Sequence, residues 1–203
     1  PDFNRGNNEG VAYFEVNQKK GWRWNTTKAF LRPTCYGRPN VEIWTHAQVT
    51  RLLWQTLPDG RTRCTGVEVF DGQGMRQASA HLSVVMCAGS IGTPSLLQRS
   101  GVGPANHLHA LGITPMLDLP GVGANLQDHL QIRAVFKVQG AATLNSLAKP
   151  WWGKAAMGIE YLFKRSGPMS MAPSQLGAFA RSHPALTWPN LQYHVQPLSL
   201  DAF

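Results

Sequence analysis

Alternating hydrophobic and polar positions predict β-strands in three regions of this chain. In the first, "VEIWTHAQV", every second residue from Val41 to Val49 falls on the same side. In the second, two further strands are predicted on either side of a glycine-rich turn signal, "DGQG", at 71–74. Near the end, "PNLQYHVQP" alternates again, with Leu191, Tyr193 and Val195 on one face and the polar His194 on the other.

The segment Leu82–Ala88 does not alternate and is apolar almost throughout. A strand with this pattern is typically buried on both faces, as in the middle of an α/β sheet. Small residues follow, and then Thr93 is predicted as the N-cap of a helix with Pro94 at its first position. Because Cys87 lies inside the apolar run, we predict a buried free thiol there.

Ala88 and Gly89 are candidates for ligand contact because they follow this predicted strand. In open α/β sheets, ligands lie at the carboxyl ends of the strands, where loops lead into helices. Residues this small let the backbone approach a flat ligand closely. The alternative is a plain strand-to-helix connection whose glycines serve only tight packing. The spacing leaves both interpretations open.

The carboxy-terminal half of the sequence predicts a different organisation. One short helix is predicted from Pro104 to about Ala110, ended by Gly112, and a longer one around 151–165. Beyond residue 131 the sequence predicts mainly the helix around 151–165 and, after it, a loop rich in Gly, Pro and Met. We therefore predict a domain boundary near 131–140, with residues 1–135 and 136–203 belonging to different domains.

Charge and hydropathy narrow the range of partners. The 203 residues carry a formal net charge of +8, which raises the possibility of nucleic-acid binding. The basic residues are scattered, however, and only Lys19, Lys20 and Arg23 form a small cluster. No apolar run approaches the roughly 18 residues that a membrane span requires. We expect a small-molecule partner, and neither nucleic acid nor a membrane span.

The cysteines and histidines give no support for a disulfide framework or a metal site. Cys35, Cys64 and Cys87 are odd in number and lack CxxC spacing. The seven histidines include no HExxH pattern. Free thiols suit a reducing compartment, so a cytoplasmic location is expected.

The segment "GSIGTPSLLQRSGVG", Gly89 to Gly103, resembles the second signature of the glucose–methanol–choline (GMC) flavoprotein oxidoreductases. Every constrained position of that signature is matched. The segment "GANLQDH", residues 123–129, is similar to the family's motif downstream of it. The regions "GWRWNTTKAFLRP" and "WPNLQYHVQP" also resemble family segments, the latter a strand of the substrate domain in the choline and alcohol dehydrogenase branch.

The resemblance implies a fold, a cofactor and a reaction. The expected fold is α+β or α/β: part of an FAD-binding α/β domain in 1–135, with interdomain segments, and part of a substrate domain with an antiparallel sheet in 136–203. The family transfers a hydride from an alcohol carbon to FAD. No GxGxxG occurs here, so the expectation is a central fragment, inactive alone, that needs the rest of its polypeptide. The alternative from another class is a non-catalytic binding module that keeps the fold.

The resemblance also assigns candidate site residues. Val49, Ala88 and Gly89 match positions that contact FAD, mainly through the backbone. His194 lies on the polar face of a substrate-domain strand, so we predict that it lines the substrate cavity and steadies the developing alkoxide. The proton acceptor is expected elsewhere, in a carboxy-terminal part. Asp128 and His129 are adjacent on an extended chain and are interpreted as structural.

The distribution of acidic residues bears on the substrate. A quaternary ammonium group needs a nearby anion or an aromatic cage. Between Asp128 and Glu160 the sequence has no acidic residue. Trp151 and Trp152 could supply aromatic faces, but the residue that follows them, Gly153, is uncharged. The lack of a nearby acidic residue favours a neutral primary alcohol over a cationic substrate.

Overall fold

The computed structural model describes residues 2–172 and 174–199. The chain divides into two compact units. The central unit is Glu42–Ile132, and the composite unit joins Pro1–Val41 to Arg133–Phe203. The division after residue 132 lies inside the predicted interval 131–140, whereas residues 1–41 group with the carboxy-terminal part. The assignment of 1–135 and 136–203 to FAD-binding and substrate domains stays a prediction.

The described residues form a mixed α and β structure in which the three-stranded sheets are antiparallel, as the expected fold class requires. In chain order, the strands are β1 (Gly10–Tyr13), β2 (Gln18–Lys19), β3 (Trp22–Arg23), β4 (Gln48–Thr56), β5 (Thr62–Phe70), β6 (Met75–Ser79), β7 (Val102–Gly103), β8 (Leu117–Asp118), β9 (Leu176–Ala180) and β10 (Leu191–Val195).

The helices are mostly short. In chain order, they are α1 (Arg32–Thr34), preceded by a π-helical turn at Thr27–Leu31, then α2 (Gly89–Arg99), α3 (Ala105–Ala110), α4 (Leu144–Ala148) and α5 (Trp151–Lys164), with a 3₁₀ turn at Pro168–Ser170. Among the described residues, no helix combines the length and the apolar composition needed to cross a membrane. The predicted helices at 104–110 and 151–165 are confirmed.

The sheet of the central unit is the antiparallel meander β4–β5–β6. The hairpin predicted around "DGQG" is confirmed, since β5 and β6 pair from Phe70 opposite Met75 outward. The strand predicted over 41–49 is wrong for most of its length, because β4 begins only at Gln48. His46 has a φ of 55°, in the left-handed region, which separates residues 41–45 from β4, and residues 41–45 pair with no strand in the described part of the chain.

The core of the central unit forms where α2 packs against β4. Its buried apolar side chains come from the sheet, from α2 and from the elements that follow: Leu52, Val69, Leu96, Val102 and Leu108. Ser100 follows α2 and is also buried. Its hydroxyl donates to the Leu96 carbonyl (2.6 Å) and accepts from the Leu52 backbone N–H (2.8 Å), which joins the helix to the sheet.

The strand predicted over Leu82–Ala88 is wrong for this structure, because the segment forms no strand. Leu82 and Val85 are 94% and 80% exposed, and Cys87, predicted to be buried, is exposed as well. A strand covered on both faces needs partners on each side, and none of the strands in the described ranges pairs with it. The run is apolar, but within the described residues its side chains at positions 82 and 85 are left uncovered.

Helix α2 begins earlier than the sequence indicated. Ala88 is its N-cap and Gly89 its first residue, so neither Thr93 nor Pro94 marks the start. Pro94 lies inside the helix instead. Proline at that position forgoes one backbone hydrogen bond, which the surrounding packing has to offset.

The composite unit contains the antiparallel sheet β1–β9–β10. β9 is the central strand, with Gly10 opposite Phe179 on one side and His194 opposite Gly177 on the other. The strand predicted in "PNLQYHVQP" is confirmed as β10. The pairing brings residues 10–13 beside residues 176–180, a contact that no local sequence pattern indicates.

The turn between β5 and β6 gives a pH-dependent stability prediction. The Asp71 carboxylate accepts from the backbone N–H groups of Gln73 and Gly74 (both 3.0 Å), which holds its pKa below the usual value, with the Arg76 guanidinium adding to the effect. A lowered pKa stabilises the fold above the unfolded-state pKa, and this contribution is lost as the pH falls through the folded-state pKa.

We therefore expect Asp71→Ala to lower the thermal unfolding midpoint at neutral pH, with a difference from wild type that shrinks below about pH 4. Asp71→Asn is the matched control, because it keeps an acceptor oxygen and removes the charge. The unfolding midpoint of Asp71→Asn should lie between that of the wild type and that of Asp71→Ala. An Asp71→Ala difference that persists unchanged at acid pH would contradict this account.

Candidate functional site

Gly89 adopts a backbone conformation that favours glycine, with φ at +79°. A β-carbon added there would have no neighbouring atom within 4 Å, so the position borders open space. Ala88, the N-cap of α2, is exposed beside it. Within the described residues, the backbone conformation therefore favours glycine at this position, whereas tight packing does not require it.

Val49 lies in β4, opposite Val69 of β5, and is half-buried. It belongs to the same central unit as Gly89, on an element that packs against α2. The hydrogen bonds that join these elements lie at the carboxyl end of α2, where the Trp54 indole N–H donates to the Ser100 carbonyl (2.7 Å). Gly89 lies at the opposite end of the helix. The structure therefore brings Val49 and Gly89 into one unit without recording a direct hydrogen bond between them.

A cavity of about 400 Å³ lies along one side of α2 in the central unit, from Ser90 near its start to Gln98 near its end. Its lining includes Ser90, Pro94 and Gln98 of the helix and Gly123 of the glycine turn. The Gln98 amide N–H donates to the Val122 carbonyl (3.0 Å), which fixes this turn against the helix. A β-carbon at Gly123 would lie 2.7 Å from the Gln98 amide nitrogen, and φ is +81° there. Sequence reasoning missed Gln98, which is a variable position of the signature.

His194 lies near the end of β10, opposite Gly177 of β9. Its imidazole packs on the Phe14 ring, with centroids 5.1 Å apart and planes inclined by 31°. A β-carbon at Gly177 would overlap the Phe14 ring, so this glycine creates the space in which the ring lies. The glycine, the phenylalanine and the histidine form one packed arrangement.

Two further aromatic rings extend this arrangement across the same face of the sheet. Phe3 lies 4.8 Å from Phe179, edge to face, and 5.7 Å from Phe14. Phe179 shares the face of Gly177, because residues two apart on a strand point the same way. We call Phe3, Phe14, Phe179 and His194 the aromatic face. Sequence reasoning missed it, because Phe3 and Phe14 reach His194 only through the pairing of β1 with β9.

The opposite face of this sheet carries the apolar residues of the alternating pattern. Tyr193 and Val195 are 51% and 48% exposed, and Tyr13 of β1 is 77% exposed. His194 itself is exposed in this structure. The alternation of β10 is thus confirmed, whereas the substrate-facing role of His194 stays a prediction.

Across residues 2–172 and 174–199, no three His, Cys, Asp or Glu side chains come together as potential metal ligands. Asp128 accepts a hydrogen bond from the backbone N–H of His129 (2.7 Å), a local turn interaction.

A protein-family model described as GMC oxidoreductase matches residues 1–131. Among curated proteins, an oxygen-dependent choline dehydrogenase from Burkholderia ambifaria is 39% identical over 182 residues, which are 90% of this chain and 31% of that protein. One of the same name from Pseudomonas aeruginosa is 41% identical, over 90% of this chain and 32% of its own length. The chain thus spans about a third of these relatives.

Solved structures show the same likeness. An FAD-dependent oxidoreductase from Chaetomium thermophilum superposes with a TM-score of 0.73 at 26% identity, over 86% of this chain and 30% of the other. A fungal aryl-alcohol oxidase superposes with a TM-score of 0.69 at 28% identity, again over 86% and 30%.

Proposed function

The chain belongs to the GMC oxidoreductase family, and on this basis we propose that it is the central part of an FAD-dependent enzyme that oxidises the CH–OH group of an alcohol. The observation that carries the proposal is the family match over residues 1–131, which includes the complete "GSIGTPSLLQRSGVG" signature. Bound FAD would supply the hydride acceptor. The chain's own residues would hold the cofactor, orient the alcohol and exclude water.

The residues at the start of α2 fit a flat cofactor. Gly89 borders open space that any side chain would fill, and its φ of +79° excludes most other residues. We propose that Ala88 and Gly89, with Val49 of β4, hold the adenosine part of FAD mainly through their backbone atoms. Residues 1–135 would then be part of the FAD-binding domain and 136–203 part of the substrate domain.

His194 is proposed to act on the substrate hydroxyl. A neutral imidazole can donate a hydrogen bond to the oxygen as negative charge develops on it, which stabilises the transition state. The Phe14 ring against the imidazole limits the directions in which it can point. The proton acceptor is proposed to lie in another part of a longer polypeptide, so His194 would be a stabilising residue and not the base.

Two substrate classes compete. The absence of acidic residues between Asp128 and Glu160 supports a neutral primary alcohol. The names of the curated relatives support choline as the second candidate. The aromatic face, to which His194 belongs, suits either substrate class, because aromatic rings pack against apolar groups and also attract quaternary ammonium ions.

We propose further that these residues need the rest of a longer polypeptide to bind FAD. The apolar side chains of Leu82 and Val85 are uncovered, as are Leu130 and Ile132 at 97% and 92% exposure. Uncovered apolar side chains in this number are typical of surfaces that another segment covers.

The experiment compares the flavin content of the isolated 203-residue chain with that of the full-length protein, purified in the same way. We expect flavin in the full-length protein and none firmly held by the isolated chain, since a partial site lacks the groups that hold the phosphates. Stoichiometric flavin on the isolated chain would refute the need for further segments. A full-length protein that binds no flavin would favour the non-catalytic binding module instead.

A further inference from the structure

A short hairpin in the composite unit places two tryptophans beside several cations. Strands β2 and β3 pair Gln18 with Arg23 and Lys19 with Trp22. The two turn residues, Lys20 and Gly21, both have positive φ, at 52° and 73°. This is the conformation of the tight turn that matches the twist of a two-stranded hairpin. The hairpin therefore has a defined shape even though it is short.

The hairpin is fixed to the end of helix α5. The Tyr161 hydroxyl donates to the Gly21 carbonyl (3.3 Å), and the Arg165 guanidinium lies 4.4 Å from the centre of the Trp22 ring. A β-carbon at Gly21 would overlap the Arg165 backbone, so only glycine allows this close approach. The position of Trp22 is thus set by contacts far apart in the sequence.

Lys28 lies between the two indoles of this hairpin region. Its ammonium is 5.2 Å from the Trp22 ring centre and 5.9 Å from that of Trp24. It also donates to the Arg23 carbonyl (3.2 Å), which leaves it two further N–H donors. The ammonium is therefore held in place with donor capacity to spare.

A concave space of about 640 Å³ opens here, lined by Trp22, Trp24, Lys28, Arg32 and Pro33. Its size lies within the range of about 300–1,000 Å³ typical of small-molecule sites. We call these five residues the tryptophan–lysine pocket. Neither cation of its lining takes part in an ion pair with the described side chains. The pocket therefore offers positive charge that no acidic side chain in the described ranges neutralises.

We propose that the tryptophan–lysine pocket binds a mononucleotide or a similar aromatic phosphate. A planar base would stack on an indole, as bases do on aromatic side chains generally. The phosphate would accept hydrogen bonds from Lys28 and Arg32, and its two negative charges match the two cations. This pocket is a second site, in the composite unit, and ligand binding there does not depend on the proposed FAD site in the central unit.

The size and the shape of the pocket favour a single nucleotide over a polymer or a lipid surface. A nucleic-acid strand needs a continuous basic groove, whereas the cations here converge on one concave space. Membrane binding would need an apolar face that projects outward, whereas here Trp22 is 45% exposed, Trp24 is half-buried, and two cations line the same space.

The test is a titration of the full-length protein, with its flavin bound, by AMP, adenosine and inorganic phosphate, measured by isothermal calorimetry. We expect AMP to bind with a Kd in the millimolar range or tighter, and more tightly than adenosine or phosphate alone. The double variant Lys28→Gln/Arg32→Gln should weaken AMP binding about tenfold or more, since hydrogen bonds to charged groups carry energies of that size. Trp24→Leu should weaken AMP binding and leave phosphate binding unchanged.

The matched control is Lys154→Gln, which replaces a cation on α5 that lies about 16 Å along the helix axis from Arg165, the residue that follows α5. It should leave AMP binding unchanged, and circular dichroism checks that every variant is folded. Equal AMP binding by the double variant and the wild type would overturn the proposal, and so would binding to anionic lipid vesicles without AMP binding. A protein without flavin that still binds AMP here would refute the proposed function and support this inference.

Discussion

Replacing Gly89 with valine is expected to remove most of the FAD from the full-length protein while leaving it folded. Two effects act at this position. The left-handed backbone, with φ at +79°, is unfavourable for a β-branched residue, by roughly 1–2 kcal/mol. The new side chain would also project into the open space that we assign to the adenosine, where no protein atom lies within 4 Å. The measurement is flavin absorbance per protein, with circular dichroism to verify the fold.

Gly112→Val is the matched control for this prediction. Gly112 follows α3 in the same central unit, has φ at +72°, and also has no atom within 4 Å of an added β-carbon. Valine at position 112 therefore introduces the same backbone strain as valine at position 89, but away from the proposed cofactor site. We expect the control to retain its flavin. Equal flavin content in both variants would show that Gly89 serves the turn alone.

Replacing His194 with alanine is expected to lower the turnover of the full-length enzyme by about a hundredfold or more, at unchanged flavin content. The reason is the loss of a hydrogen-bond donor to the developing alkoxide. The Phe14 ring at 5.1 Å would lose its neighbour as well, so the variant His194→Gln is informative. Glutamine keeps an N–H donor, and we expect it to restore part of the turnover.

Gln192→Ala serves as the control for His194. Gln192 lies two residues away on the same strand and the same face, opposite Phe179. Its removal should change turnover severalfold at most if His194 has the specific role proposed. Wild-type turnover in His194→Ala at full flavin occupancy would place this histidine outside the active site.

Local patterns predicted those parts of the fold whose partners lie nearby in the sequence. The hairpin of β5 and β6 follows from its turn residues, and α5 follows from an apolar helical run. The segment Leu82–Ala88 shows the limit of this reasoning. Its apolar composition predicts a strand buried on both faces. Composition alone does not indicate which other residues would pack against those faces.

The candidate site likewise has a part that the sequence predicted and a part that it did not. The signature around Gly89 could be identified from the sequence, because the family constrains residues that are adjacent along the chain. The aromatic face could not, since Phe14 meets His194 through a strand pairing that spans more than half of the chain. Gly177 gave no local signal either, because its role is to leave space for a ring from a distant strand.

The most direct test of the central claim is anaerobic addition of alcohols to the full-length protein while its visible flavin absorbance is recorded. A panel should include choline, a neutral primary alcohol and an aryl alcohol, with the corresponding deoxy compounds as controls. We expect at least one alcohol to bleach the flavin and to be converted to its carbonyl product, whereas the deoxy controls should not react. Flavin that stays oxidised with every alcohol, or a full-length protein without flavin, would contradict the proposed function.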